Sequence, residues 1–244
     1  MRKSLLFLFL LPALDAATAH GQIVTNTIDS FANSQTASVV TDSVTNTVAA
    51  AGAIGGYRTM VLTATQNENE LPISLNVAST TKRLILSTPS SASANFTVLW
   101  GGLGGTNGLG GIDLIAGNPN PTQSNLKFSL RSADFSSSFT WSFTDTLNQT
   151  ASYTGTFPVE SSTAPDLAFS IALSSFTGSI NWNSINFISF AGGNVAELDL
   201  SLTAPFAMET TVMAPVPEPG TWAAAALLAG VAGYIHWRRR RVAA

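Results

Sequence analysis

The segment "SFTWSFT", residues Ser138–Thr144, alternates large aromatic side chains with small polar ones. In an extended chain Phe139, Trp141 and Phe143 fall on one side, because successive side chains of a β-strand point to opposite faces. The same period of two recurs in "LKFSL" (126–130), "LPISLNV" (71–77) and "ELDLSL" (197–202). These segments predict strands with one buried face and one solvated face.

The number of such strands indicates the fold class. Turn-rich stretches such as "LNQT" (147–150) and "FAGGN" (190–194) separate them, and no long amphipathic helical pattern occurs between residues 50 and 210. Strands with a single apolar face need a second sheet to cover that face. The sequence therefore predicts an all-β sandwich.

The boundaries of this body follow from composition. The predicted ectodomain spans residues 20–207, and residues 208–216 are predicted to be an extended linker. Residues 20–53 are rich in Thr, Ser and Ala and poor in large apolar side chains. For that part we expect an edge strand together with partly disordered chain.

Charge and cysteine content exclude several classes of function. Between His20 and Pro217 the chain has five basic residues against twelve acidic ones. Nucleic-acid binding needs basic patches for the phosphates, so we expect no nucleic-acid partner. The chain has no cysteine, which excludes disulfide bonds and cysteine-ligated metals.

The first residues, "MRKSLLFLFLLPALDAATAHGQ", have the pattern of a secretory signal peptide. A short basic region, Arg2 and Lys3, precedes the apolar run Leu5–Leu14, and Ala17 and Ala19 form a small-residue cleavage site. We therefore predict a signal peptide over residues 1–19, cleaved by signal peptidase after Ala19. A second cleavage position at Gly21 and an uncut N-terminal anchor are the alternatives.

A second apolar run, Trp222–Ile235, lies near the other end of the sequence. With its flanks it covers residues 221–237, which measure about 25 Å as a helix. Four consecutive arginines, Arg238, Arg239, Arg240 and Arg241, follow it and would stay on the cytoplasmic side of the inner membrane. The pattern predicts a single hydrophobic membrane helix, and the alternative is a buried core helix.

The residues before this run carry a family resemblance. Val216, Pro217, Glu218 and Pro219, then the apolar helix, then the arginine cluster resemble the PEP-CTERM protein-sorting signal of Gram-negative bacteria, here over residues 217–241. The resemblance implies recognition by a membrane-embedded exosortase, which would cleave near the motif and remove the helix. It also implies association with exopolysaccharide or biofilm systems at the cell surface or in the extracellular matrix.

The body resembles jelly-roll modules with a galactose-binding-like fold. The resemblance covers about residues 28–204 and rests on "AIGGYRTMVLTAT" (53–65), "GLGGIDLIAG" (108–117), "KFSLRSADFSSSFTWSFTD" (127–145), "LSSFTGSINWNSINFISF" (173–190) and "AELDLSLTA" (196–204). Such modules are often carbohydrate-binding and often hold a structural calcium ion. No cofactor is expected otherwise, and the candidate calcium ligands are Asp29, Asp113 and Asp199, the first of them by family analogy alone.

The candidates for catalysis are few. The two histidines are His20 and His236, outside the predicted sandwich, so serine or cysteine nucleophiles activated by histidine are not expected there. The closest acids, Glu68 and Glu70, lie in a polar stretch that is typical of a solvated loop. The glycine-rich stretch at residues 100–113 lacks a phosphate-loop ending and is expected to be a flexible connection to a strand over residues 112–117.

Aromatic side chains offer the remaining route to a site, because exposed rings stack on sugars. Trp141 alternates with core phenylalanines and is expected in the core, and Trp182 and Tyr57 are expected in the core or at its rim. The sequence thus predicts an exported, surface-directed, non-catalytic protein that is associated with exopolysaccharide or biofilm matrix. The alternatives are a lectin-like carbohydrate-binding module and a carboxylate-dependent glycan hydrolase or lyase.

Overall fold

The computed structural model describes residues 21–103, 107–118, 120–213, 227–235 and 238–239. Residues 23–212 form one compact unit. This unit consists of strands, turns and a few single turns of 3-10 helix.

The described residues contain fourteen strands. In chain order they are β1 (Gly21–Asp29), β2 (Gln35–Val39), β3 (Ser43–Ala49), β4 (Tyr57–Asn67), β5 (Ile73–Ala78), β6 (Arg83–Ser87), β7 (Ala92–Trp100), β8 (Ser124–Ala133), β9 (Ser137–Asp145), β10 (Thr150–Phe157), β11 (Leu167–Ala172), β12 (Thr177–Gly178), β13 (Ile185–Gly193) and β14 (Leu200–Met213).

The strands form two seven-stranded sheets. In the first, here called the β8 sheet, the order is β11-β8-β14-β6-β5-β2, and β1 also pairs with β14. In the second, here called the β9 sheet, the order is β12-β10-β9-β13-β7-β4-β3. The strand pairs whose registers are resolved are antiparallel. The predicted all-β sandwich is confirmed.

The alternating segments behave as their period predicts. Along β9, Phe139, Trp141 and Phe143 are buried, whereas Thr140 and Ser142 between them are half-buried. In β8, Leu126, Phe128 and Leu130 are buried in the same way. A side-chain period of two therefore sets which face of each strand enters the core.

Phe128 of the β8 sheet lies at the centre of the aromatic core. Its ring stacks on Phe169 of the neighbouring strand with centroids 4.8 Å apart. Across the sandwich it packs edge-on against Phe139 at 5.5 Å, and Trp141 lies 5.8 Å away. Such edge-to-face aromatic pairs contribute beyond their buried area, so this cluster joins the two sheets.

A buried ion pair joins the same two sheets near one edge. Asp29, at the end of β1, and Arg58, in β4, are both fully buried, and their closest side-chain atoms are 2.9 Å apart. The Asp29 Oδ2 atom also accepts the indole N–H of Trp100 at 2.9 Å. Asp29 Oδ1 accepts the backbone N–H of Phe31 at 2.8 Å.

The other two guanidinium nitrogens of Arg58 also have hydrogen-bond partners. Its Nε donates to the Gln35 side chain at 2.7 Å, and its Nη2 donates to the Asn33 carbonyl at 2.6 Å. Gln35 in turn donates to the Asn46 carbonyl of β3 at 2.8 Å. A buried charge pair is tolerated only when its hydrogen bonds are completed, and this network completes them with groups from β1, β2, β3, β4 and β7.

Two expectations for the ends of the body are corrected. Residues 20–53 were expected to hold an edge strand and partly disordered chain. β2 and β3 do lie at sheet edges, but the segment also holds β1, and Ile28, Phe31, Ala37 and Val39 are buried. Small side chains suffice here because these strands add to existing sheets through backbone hydrogen bonds. The predicted linker 208–216 begins too early, because β14 continues to Met213.

Residues 227–235 are helical, within the predicted membrane helix about 221–237. Its apolar side chains, Leu227, Leu228, Val231 and Ile235 among them, are exposed. Residues 221–226 and 236–237 lie outside the described part of the chain. No helix within the described residues combines the length and the apolar character that a membrane crossing requires.

We predict that Arg58→Met lowers the free energy of unfolding by about 3–5 kcal/mol, because it leaves the Asp29 carboxylate buried without its counter-charge. Urea denaturation followed by tryptophan fluorescence measures the change. The double variant Asp29→Asn/Arg58→Met should be less destabilised than Arg58→Met, since it leaves no buried charge. An Arg58→Met protein as stable as the wild type would contradict this account of the ion pair.

Candidate functional site

Most residues of the predicted sorting and cleavage sites lie outside the described part of the chain. These are the cleavage residues Ala17 and Ala19, the sorting motif Val216, Pro217, Glu218 and Pro219, and two of the four arginines, Arg240 and Arg241. Arg238 and Arg239 are helical. The roles of all these residues stay predictions.

The three candidate calcium ligands have different surroundings. Asp29 is the partner of Arg58 in the core, so both of its carboxylate oxygens are already engaged. Asp113 is exposed, and its carboxylate accepts the backbone N–H groups of Ile115 at 2.9 Å and Gly117 at 2.5 Å. These hydrogen bonds make Asp113 a turn residue.

Asp199, the third candidate, is exposed and accepts the backbone N–H of Thr88 at 3.2 Å. Its own N–H donates to the Asp134 carboxylate at 2.7 Å. Within the described residues, no three His, Cys, Asp or Glu side chains come together in a way that could hold a metal ion. Asp29, whose oxygens bind Arg58, Trp100 and the N–H of Phe31, does not fit a calcium-ligand role, and Asp113 and Asp199 as calcium ligands stay predictions.

A shallow depression of about 160 Å³ lies beside Asp199 on the β8 sheet. Its lining consists mainly of serines and aliphatic side chains from β6, β8 and β14: Ile85, Leu86, Ser87, Ser132, Leu200 and Ser201. Asp199 is the one acidic residue in this lining. A pair of carboxylates flanking a cleft, as glycoside hydrolysis requires, is not found in this depression.

The aromatic residues do not form an exposed platform in the described part of the chain. Trp141 is fully buried, with its ring 5.8 Å from the parallel ring of Trp100. Trp182 is 8% exposed and packs on Phe143 at 5.1 Å, and Tyr57 is half-buried. Trp141 is thus a core residue, and Trp182 lies at the rim.

The glycine-rich stretch is held in place over its described residues, 100–103 and 107–113. The backbone N–H of Leu109 donates to the Asn186 carbonyl at 2.7 Å, and Ile112 pairs with Ile185 in an isolated bridge. Gly108 has φ +77°, and a Cβ atom there would lie 2.0 Å from Asn186 Oδ1. The expectation of a flexible connection that leads to a strand over residues 112–117 is therefore corrected. Leu109 and Ile112 are hydrogen-bonded to the start of β13, and residues 112–117 form turns instead of a strand.

The outer face of the β9 sheet is composed mainly of serine and threonine side chains. The pattern of a single strand does not show this, because the composition of the face depends on how the strands align. The cross-strand registers align outward-pointing residues of six strands in two rows. One row is Ser152, Ser142, Ser189, Leu99, Thr59 and Thr47, and the next is Thr154, Thr140, Ala191, Thr97, Val61 and Thr45. We call these two rows the hydroxyl face.

The hydroxyl face carries no charge, and the outward positions that flank it on the same strands continue this character. They are Thr63, Asn95, Ser43, Ser138, Thr156, Thr144, Thr150 and Phe187. The outer face of the β8 sheet differs, because it presents Lys127 and Arg131 on β8, Arg83 on β6 and Glu209 on β14. The two faces of the sandwich are therefore chemically distinct.

Threonine hydroxyls on the β9 sheet pair across neighbouring strands. Thr47 and Thr59 lie 2.8 Å apart, and Thr140 and Thr154 lie 3.1 Å apart, between their hydroxyl oxygens. A hydroxyl donates one hydrogen bond and accepts two, so each pair keeps capacity for a further partner. Such cross-strand pairs stabilise the sheet modestly and hold the side chains in a regular array.

Asp145, at the end of β9, organises one end of this sheet. Its buried carboxylate accepts the backbone N–H groups of Leu147 at 2.8 Å and Gln149 at 2.9 Å, which closes the turn into β10. It also accepts the N–H of Asn181 at 3.0 Å. Burial raises the pKa of this carboxyl, but these three backbone donors outweigh burial and hold its pKa below the ordinary value.

A lowered pKa in the folded state means that ionised Asp145 stabilises the fold. This contribution is complete above the unfolded-state pKa of about 3.9 and is lost as the pH falls through the folded-state value. We predict that Asp145→Asn is less stable than the wild type at neutral pH, and that the difference shrinks as the pH falls below about 4. Urea unfolding across this pH range measures it.

The control for this experiment is Asp42→Asn, which removes the same charge from an exposed position. A stability difference between Asp145→Asn and the wild type that stays constant down to acidic pH would contradict the role given to the carboxylate.

Comparison with known proteins identifies one segment of the chain. A family model, the PEP-CTERM protein-sorting motif, matches residues 215–241. No curated protein matches the chain.

Solved structures of low similarity include a family 11 carbohydrate-binding module from Clostridium thermocellum, at 12% identity and a TM-score of 0.38, covering 81% of this chain and 100% of that chain. An agarase matches at 10% identity and a TM-score of 0.41, covering 62% and 23%. A tailspike protein of bacteriophage CBA120 matches at 13% identity and a TM-score of 0.34, covering 76% and 20%. The chain is thus a two-sheet β-sandwich that carries a PEP-CTERM protein-sorting motif at residues 215–241.

Proposed function

We propose that this chain is an exported protein that is sorted to the cell surface through residues 215–241 and acts there without catalysis, in association with exopolysaccharide or biofilm matrix. The observation that carries the proposal is the PEP-CTERM motif. The sandwich would be the exported domain, and residues 215–241 would be its sorting signal.

The predicted action of the sorting signal follows from its three parts: the motif, the apolar segment and the arginine cluster. Pro217 and Pro219 would disfavour a helix at the motif and leave its backbone accessible to a protease. The apolar segment about 221–237 would hold the chain in the inner membrane, and Arg238–Arg241 would remain on the cytoplasmic side. An exosortase would then recognise Val216–Pro219, cleave near it and release the body from the helix.

The non-catalytic part of the proposal is supported by how the acids of the sandwich are used. Asp29 pairs with Arg58, Asp145 closes a turn, and Asp134 accepts the N–H of Asp199. Residues 21–213 contain no histidine and no cysteine. The polar side chains that remain in a regular surface array are the serines and threonines of the hydroxyl face, which favours a lectin-like binder as the second candidate function.

Intact-mass analysis of the mature protein, combined with cell fractionation of the Gram-negative host, tests the proposed sorting. We expect a surface or extracellular species that begins after Ala19 and ends between Pro217 and Gly220. The variant Pro217→Ala/Glu218→Gln/Pro219→Ala should accumulate in the membrane fraction with its arginines retained, because the recognition residues are gone.

Glu209→Gln is the matched control, since it removes one carboxylate close to the motif and leaves the motif intact. It should be processed like the wild type. Retention of Arg238–Arg241 in the surface protein would overturn exosortase processing, and hydrolysis of exopolysaccharide by the purified protein would overturn the non-catalytic role.

A further inference from the structure

The hydroxyl face is a regular surface of the sandwich that the β8 sheet does not cover. Its side chains point away from the core and belong to central strands such as β9, β13 and β7 as well as to the edge strand β3. Thr154, Thr47 and Thr45 are exposed, Thr97, Ser142 and Ser189 are half-buried, and Thr59 is buried at 5% exposure. A solvent-accessible sheet face of this kind can bind an extended polymer chain.

The chemistry of this face restricts what that partner can be. Serine and threonine hydroxyls both donate and accept hydrogen bonds, as sugar hydroxyls do. The threonine methyl groups, Val61 and Leu99 add apolar surface between the hydroxyls, which suits the C–H faces of sugar rings. A partner rich in uncharged hydroxyls satisfies both kinds of surface.

Charge argues against an anionic polymer at this face. Capture of polyanions relies on lysine and arginine side chains, as phosphate binding shows, and the hydroxyl face has none. On the β8 sheet, Lys127 pairs with Glu209 and Arg131 pairs with Asp166. A charged ligand would also lose hydration at the hydroxyl face without gaining a counter-charge.

We propose that the hydroxyl face binds a neutral polysaccharide, an inference that rests on the proposed surface function and specifies its ligand class and its site. Neighbouring strands lie about 4.8 Å apart, and alternate residues along a strand about 6.8 Å apart, so the two rows form a shallow grid. A polymer crossing the grid makes many weak contacts at once. The resulting affinity comes from multivalency, with no deep pocket needed.

Pull-down with insoluble polysaccharides tests this inference on the purified full chain in mild detergent. The neutral probes are microcrystalline cellulose, agarose, curdlan and starch granules, and calcium alginate gel is the anionic probe. We expect retention by at least one neutral probe and no retention by alginate. Retention should persist at about 1 M NaCl, where the Debye length is about 3 Å and charge attraction is screened.

Thr97→Lys places a charge in the middle of the hydroxyl face and should weaken binding about tenfold or more, because the ammonium group loses hydration against an uncharged partner. Ser38→Lys is the matched control on the outer face of the β8 sheet and should bind like the wild type. If Thr97→Lys fails to fold by near-UV circular dichroism, Thr154→Lys at an exposed position of β10 replaces it.

Four results would overturn the inference: no retention by any neutral probe, retention by alginate alone, release by salt, or equal binding by the wild type and a folded hydroxyl-face variant. A dimer that Thr97→Lys dissociates, seen by size-exclusion chromatography, would also overturn it, because a second copy would then cover the face. Sorting is tested separately. Normal processing without polysaccharide binding would contradict this inference and leave the sorting proposal intact. Polysaccharide binding without processing would contradict the sorting proposal and leave this inference intact.

Discussion

The buried ion pair between Asp29 and Arg58 is the constraint on which the packing of the two sheets depends. Burying the two charges costs desolvation free energy, and the attraction between them need not recover all of it. The pair therefore also needs the hydrogen bonds with Trp100, with the Gln35 side chain and with the backbone N–H of Phe31, which must be held in fixed positions. Those partners come from strands of both sheets. The polar network therefore fixes how the sheets meet near one edge, and the aromatic cluster around Phe128 fills the space between them.

Fixing the core also determines which surfaces remain. With Phe139, Trp141 and Phe143 turned inward, the alternate residues of β9 must face solvent, and the registers with β10 and β13 bring them into rows. The charges of the sandwich lie elsewhere, on the β8 sheet, in the loops, in the buried ion pair and in the buried carboxylate of Asp145. An uncharged array of hydroxyl and methyl groups is thus a consequence of the strand alignment, and it is the surface we assign to polysaccharide.

Period-two patterns are local, and for that reason they predicted the strands and the sandwich correctly. The segments around Phe139 and Leu126 show this, since each buries the residues that its alternation selects. Three features escaped prediction because they depend on partners distant in sequence. Asp29 was a candidate calcium ligand but pairs with Arg58, and the glycine-rich stretch was expected to be flexible but is hydrogen-bonded to Asn186. The hydroxyl face forms only when six strands are in register.

Methyl NMR of the full chain, labelled at the threonine methyl groups and titrated with soluble hydroxyethyl cellulose, tests the central claim most directly. The account predicts that signals of Thr45, Thr97, Thr140 and Thr154 shift with a common saturation curve. Signals of Thr36 and Thr203, on the other sheet, should stay in place. Shifts confined to the other sheet, or no shifts at saturating polymer, would contradict the assignment of the hydroxyl face.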